Sequence, residues 1–162
     1  MKHIKGDVLE VFKNSKSAVL LHQVNCQGVM GGGIAKQIKD KYPNHFIDYC
    51  CIIDHSTGQH KECLGQWFIT FCEADTAIVG LFGQYCFGTD KRHTNYAAFV
   101  KSLSDFIQSL CMRKDSELII PKNIGCGLGG GDWNIIEQIL HDVEKMYGVE
   151  FTCVEFTCVE YE

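Results

Sequence analysis

Two glycine-rich turns are where this sequence has the residues and spacing to do chemistry. The first is Asn25-Cys26-Gln27-Gly28-Val29-Met30-Gly31-Gly32-Gly33-Ile34-Ala35. The second is Pro121-Lys122-Asn123-Ile124-Gly125-Cys126-Gly127-Leu128-Gly129-Gly130-Gly131-Asp132-Trp133. Each follows an apolar run and opens onto a helical pattern. Glycines there let successive backbone N–H groups turn toward one point, where the N-terminus of the following helix adds a partial positive charge. Such a cradle holds phosphate without a lysine or a metal. Two cradles imply a ligand with two phosphates, or one diphosphate held from both sides.

Both turns need strands behind them. Ala18 to Val24 is a near-continuous apolar run, as expected for a strand buried on both faces of a parallel sheet, and it delivers Asn25 at its C-terminal end. Glu117 to Ile120 does the same for the second turn. After Gly33, the residues Ile34, Ala35, Ile38 and Tyr42 keep helical spacing until Pro43, and Phe46, Tyr49, Cys50 and Ile53 mark a second helix. The polar segment from Asp54 to Glu62 reads as a loop. Trp67 to Cys72 and Ala77 to Phe82 are strand-like, with Glu73 to Thr76 as a hairpin turn. From Thr94 to Met112, the residues Phe99, Leu103, Phe106, Ile107 and Leu110 form an apolar helix face. A last helix runs from Trp133 to Tyr147, with Ile136, Ile139, Leu140 and Val143 inward and Gly148 as its C-terminal cap. A final strand covers Val149 to Val154.

At the N-terminus, His3-Ile4-Lys5 and Val8-Leu9-Glu10-Val11 alternate weakly around Gly6-Asp7, which predicts a strand and a turn. Asp7 is placed there to cap a backbone N–H or to contact a ligand. The order is α/β with several strand–helix–strand crossovers, so a mixed sheet with helices on both faces is expected. Ligands in such sheets bind beyond the carboxyl ends of the strands, where both glycine turns belong.

A chain of 162 residues with 46% hydrophobic content fits one domain, 1–162, with a sizeable core. No apolar run approaches the roughly 20 residues that span a bilayer, and the N-terminus has no signal-like apolar region. A cytoplasmic, membrane-free monomer is expected. The ten cysteines read as reduced thiols, because a core this large folds without disulfide staples. Cys50, Cys51, His55, His60 and Cys63 crowd together without the closely spaced pairs of a zinc site, so no metal is expected. The net charge of −5 and the lack of a basic stripe exclude polymeric nucleic acid as the expected partner. An anionic small molecule stays open, because oriented amides bind phosphate inside an acidic protein.

Gly125-Cys126-Gly127-Leu128-Gly129-Gly130 fits the dinucleotide pattern G-x-G-x-x-G, and Glu150 stands at about the distance of its ribose-binding acid. A dinucleotide fold, however, needs further strands after this point, and only one helix and one strand remain. A P-loop is excluded, since no Gly-Lys-Ser or Gly-Lys-Thr follows either turn. Near the C-terminus Phe-Thr-Cys-Val-Glu occurs twice, at 151–155 and 156–160. Repeat architectures have periods of roughly 20 residues or more, so this is a tandem duplication, and either copy could pair in the sheet.

Lys5-Gly6-Asp7-Val8, the segment from His22 to Ala35 and the stretch from Ile124 to Trp133 together resemble the macro domain, in particular its branch that processes ADP-ribose 1''-phosphate. The resemblance covers essentially the whole chain. It implies a three-layer α/β/α sandwich with a central mixed, largely parallel sheet, and a cleft for ADP-ribose or ADP-ribose 1''-phosphate with no cofactor. By that resemblance Asp7 contacts the adenine amino group beside the Val8 backbone, and Asn25 faces the distal ribose. Gly31, Gly32, Gly33 and Ile34 line one side of the diphosphate; Gly125, Cys126, Gly127, Leu128 and Gly129 line the other.

A related branch that removes ADP-ribose from glutamate uses an acidic residue directly after Gly-Cys-Gly-Leu and a lysine from a middle strand. Here Gly129 takes the first place, and Leu81-Phe82-Gly83-Gln84-Tyr85 supplies no lysine. The side chains left to act are His22, before the first turn, and Asp132, after the second. His22 is expected as general acid or base, with Asp132 orienting water or the imidazole. The structural alternatives are a hydrogen-bonded core histidine and a helix N-cap. The expected reaction is release of phosphate from ADP-ribose 1''-phosphate; a non-catalytic ADP-ribose reader, or hydrolysis of another ADP-ribosyl ester, is the alternative.

Overall fold

The structure is a computed structural model that describes residues 1–55, 60–73, 75–109 and 113–156. Among the described residues six strands form one sheet: β1 (Lys2–Lys5), β2 (Ser17–Val24), β3 (Trp67–Phe71), β4 (Asp75–Phe82), β5 (Glu117–Pro121) and β6 (Phe151–Glu155), in the order β1-β6-β5-β2-β4-β3. All neighbours are parallel except the hairpin pair β3 and β4. Five α-helices cover its two faces: α1 (Val8–Asn14), α2 (Gly33–Lys41), α3 (Pro43–His55), α4 (Tyr96–Gln108) and α5 (Trp133–Tyr147).

Residues of β2 alternate between the two layers. Val19 and Leu21 pack with Phe99, Leu103 and Phe106 of α4 and with Ile136, Leu140 and Val143 of α5. Ala18 and Leu20 face Leu9 and Phe12 of α1 and Ile38 of α2, while Val24 joins Tyr49 and Ile53 of α3. The result is the expected three-layer α/β/α arrangement with a mixed, largely parallel sheet. Apolar side chains on both faces explain why β2 reads as a continuous apolar run.

The N-terminal expectation needs correction. Val8 to Val11 begin a helix, not a second extended segment. Asp7 is its N-cap, with Oδ1 accepting from the backbone N–H groups of Leu9 (2.8 Å) and Glu10 (3.1 Å). Val8, Leu9 and Phe12 then put one apolar stripe on the sheet, and a short helix with a cap and a buried stripe outcompetes weak alternation. The strand, helix and hairpin expectations from β2 onward hold to within a few residues. Asp54 and His55 extend α3 into the expected loop, and Lys61–Cys63 form a single 3-10 turn. Leu110 of the expected α4 face, Met112 at the expected end of that helix, residues 56–59 of the expected loop and Ala74 of the hairpin turn lie outside the described residues.

The first copy of the duplicated pentapeptide is the one in the sheet. Phe151–Glu155 pair between β1 and β5, and Phe151 and Cys153 are fully buried. In the second copy Phe156 is 68% exposed, and 157–160 lie outside the described residues. Among the described residues no cysteine forms a disulfide, and no helix is long and apolar enough to cross a membrane.

Candidate functional site

Strands β5, β2 and β4 are adjacent and parallel, so three loops leave the same end of the sheet side by side. Val24 leads into 25–32, Phe82 into 83–95, and Pro121 into 122–132. They enclose a cavity of about 540 Å³. A volume in the range of roughly 300–1,000 Å³ suits a small organic ligand.

One wall is the start of α2. Helices α1, α4 and α5 each begin under a capping side chain: Asp7, Asn95 and Asp132. Helix α2 begins under Gly32 with no side-chain cap, and Gly31 through Ala35 line the cavity. Its first-turn N–H groups and the positive end of its dipole therefore face the cavity, where an anion satisfies both.

The facing wall is Gly125, Gly127, Leu128 and Gly129. Gly125 has φ +73°, a left-handed conformation that favours glycine. A β-carbon on Gly129 would sit 2.5 Å from Thr94 Oγ1 and 2.7 Å from the Gly125 carbonyl oxygen, so this loop packs against the one after β4 with no room for a side chain. The backbone N–H groups of His93 and Thr94 both donate to the Gly129 carbonyl at 2.9 Å. The two glycine loops also meet directly, at Gly32 and Leu128.

The loop after β4 adds Gln84, Phe87, Gly88 and Thr89 to the wall, and β2 adds Gln23. None of these stands out from sequence spacing. The signal that reveals them is strand order, because β4 lies against β2 only in the folded sheet. Gln23 Nε2 donates to Gln84 Oε1 (2.7 Å) and Thr94 Oγ1 (2.8 Å), and Thr94 donates to the Gly125 carbonyl (2.6 Å). That chain ties all three loops together and leaves Gln23 Oε1 without a partner.

Asn25, Gly31, Gly32, Gly33, Ile34, Gly125, Gly127, Leu128 and Gly129 are thus brought to one cavity. Asp7, Val8 and Cys126 are not on its lining. Asp7 caps α1, Val8 is buried under that helix, and Cys126 packs toward the α4 and α5 layer. Burial pushes the Cys26 thiol up to about 12 and the Cys126 thiol up to about 11, so neither is a thiolate nucleophile at neutral pH.

The two expected catalytic side chains lie away from the cavity. Asp132 is exposed and caps α5, accepting from the Asn134 backbone N–H at 2.8 Å. His22 is fully buried between the sheet and α3. It is not on the cavity lining. Its Nε2 lies 2.8 Å from His45 Nε2, and His45 Nδ1 lies 2.9 Å from Thr70 Oγ1. Thr70 spends its one proton on Asp48 Oδ2 at 2.6 Å, so His45 donates from Nδ1 and accepts at Nε2 from His22. His22 Nδ1 is then a bare acceptor, and it has no partner. The core-histidine alternative is the one the geometry supports.

The sequence profile of the macro domain matches residues 21–140. The chain belongs to the macro domain family. A DNA ADP-ribosyl glycohydrolase of Mycobacterium tuberculosis is 31% identical over 139 residues, which are 83% of this chain and 36% of that protein. The macro domain here therefore spans about a third of the first curated relatives it matches. An ADP-ribose 1''-phosphate phosphatase of Candida albicans is 25% identical over 161 residues, covering 91% of this macro domain and 96% of that enzyme. Thermosipho africanus DarTG, solved in complex with ADP-ribose, superimposes with a TM-score of 0.71 at 18% identity, over all of this chain and 43% of that one.

Proposed function

We propose that this macro domain binds ADP-ribose 1''-phosphate and hydrolyses its phosphomonoester to ADP-ribose and inorganic phosphate. One observation carries the reading: the uncapped start of α2 and the second glycine loop form facing walls of a single cavity. Main-chain amides on both sides suit a diphosphate, and Asn25 beside them suits the distal ribose. The phosphatase relative of similar length favours this substrate.

Among the described residues the cavity lining holds no carboxylate and no imidazole, and Lys122 is its one ionisable side chain, bonded to Glu155 at 2.8 Å. An acid–base pair does stand directly behind the wall. A β-carbon on Gly88 would lie 2.7 Å from Asp90 Oδ1 and 3.0 Å from His93 Nε2, and those two atoms are 2.9 Å apart. The hydrogen bond with His93 holds the Asp90 carboxyl below its usual value, so it is a carboxylate at neutral pH. Neither side chain is on the cavity lining, and Asp90 is exposed, so in this reading Asp90 acts through solvent and takes the proton of a water whose oxygen bonds to phosphorus. The bond from phosphorus to the ribose oxygen breaks, and solvent water returns a proton to that oxygen, while His93 orients the Asp90 carboxylate. Loop amides hold the phosphate charge throughout.

A second reading, removal of ADP-ribose from a linked group, is favoured by the glycohydrolase relative. Against it, Gly129 follows Gly125-Cys126-Gly127-Leu128, and Leu81 to Tyr85 contains no lysine.

Incubation with ADP-ribose 1''-phosphate in the presence of a chelator tests the proposal. Phosphate release with matching formation of ADP-ribose is the expected result, falling about 100-fold in Asp90→Asn and His93→Gln. Tight ADP-ribose binding with no release makes the domain a reader. Release that survives both substitutions removes the acid–base pair and leaves the phosphatase.

A further inference from the structure

Behind the cavity wall lies a buried hydroxyl that the proposed chemistry does not use. Tyr49 of α3 is fully buried, and its ring packs against both Phe68 and Phe82, with centroids 5.9 Å from each. The hydroxyl is therefore held in place, and it reaches the first glycine loop at three points. It lies 2.8 Å from both the main-chain oxygen and Oδ1 of Asn25, and it accepts from the Val29 backbone N–H at 3.1 Å.

Two backbone groups of the same loop, with the Tyr49 hydroxyl behind them, fix which way the Asn25 amide faces. Its Oδ1 also accepts from the Gln27 backbone N–H at 2.9 Å, so both acceptor positions point into the protein. Its Nδ2 donates one hydrogen to the Val29 carbonyl at 2.7 Å. One N–H remains, and Asn25 is on the cavity lining. A flipped amide would set its NH2 against the Gln27 N–H, donor against donor.

We infer that Tyr49 is a positioning residue that holds Asn25 and its loop in place, so that the Asn25 amide keeps a donor toward the cavity and this end selects an acceptor oxygen on the distal ribose or its phosphate. The inference rests on the ADP-ribose reading for the ligand, whereas the orientation of the amide does not depend on it. An asparagine free to flip would present oxygen as readily as nitrogen and would repel a phosphate in half its orientations.

Calorimetry with two ligands tests it, since ADP carries the diphosphate but lacks the distal ribose. Tyr49→Phe, which keeps the stacked ring, is expected to weaken ADP-ribose binding about tenfold and to leave ADP binding unchanged. On an Asn25→Ala background, Tyr49→Phe is expected to add nothing further for ADP-ribose. Equal losses for both ligands, or losses that add in the double variant, overturn the assignment, because a merely structural tyrosine would act that way. A nitrogen–proton correlation spectrum decides the orientation by itself. In the intact protein the Asn25 side-chain amide proton bonded to the Val29 carbonyl should exchange slowly with solvent, and in Tyr49→Phe faster. Unchanged exchange sinks the inference even if ADP-ribose binds, and faster exchange supports it even if neither nucleotide binds and the proposed function fails.

Discussion

His22 and His45 meet Nε2 to Nε2 at 2.8 Å, one on the central strand and one on α3, inside an apolar layer. Desolvation lowers both, His45 to about 3 and His22 well below 6.5, with the neighbouring ring adding to the effect on His22. Both are neutral at pH 7. The folded values lie below the unfolded one, so between them the unfolded chain binds more protons and stability falls as pH drops. For His45 that window runs from about 6.5 down to about 3, with a slope of about 1.4 kcal/mol per pH unit. Urea midpoints between pH 7.5 and 4.5 measure it. His45→Phe is expected to be less stable at pH 7 and to show a shallower slope; an unchanged slope would assign the acid sensitivity elsewhere.

Asp132 caps helix α5 and is not on the cavity lining. Asp132→Ala is expected to cost about 1 kcal/mol of stability through the lost cap, with kcat for phosphate release retained. Thermal melting and a turnover assay on the same sample separate the two effects.

Two glycines on one wall should respond differently. Gly129→Ala puts a methyl against Thr94 Oγ1 and the Gly125 carbonyl, and is expected to destabilise the fold by roughly 1–3 kcal/mol as well as to weaken ligand binding. At Gly127 nothing stands within 4 Å of an added β-carbon. Gly127→Ala should melt like the parent and lose ADP-ribose affinity alone. Equal melting shifts in both variants would contradict the wall geometry.

The duplicated segment offers a paired comparison. Phe151→Ala empties a fully buried site and is expected to cost about 3–5 kcal/mol. Phe156→Ala, at an exposed position, should change stability by no more than about 0.5 kcal/mol. Equilibrium unfolding of the two single variants reads the difference.

Much of this architecture is written in local patterns. The glycine turns, the buried run of β2, and helices α2, α3, α4 and α5 follow from periodicity and composition. Helix α1 does not, because seven residues give barely two turns and its identity depends on the Asp7 cap. The third wall of the site was hidden for another reason. Gln84 and Thr89 matter only because β4 lies beside β2, and adjacency of strands distant in sequence leaves no mark on spacing. The partner of His22 is likewise 23 residues away and on a different layer. Residues with suitable chemistry beside a binding motif are thus poor guides to catalysis until their facing is known.

Strand β6 carries its own replacement. Excising 151–155 or excising 156–160 produces one and the same amino-acid string, so an in-frame loss of either pentapeptide still delivers Phe-Thr-Cys-Val-Glu to the slot between β1 and β5. For unrelated residues an odd shift would turn the strand inside out. Identity cancels that parity, and this stretch of the gene product tolerates a deletion that would be ruinous in any neighbouring strand.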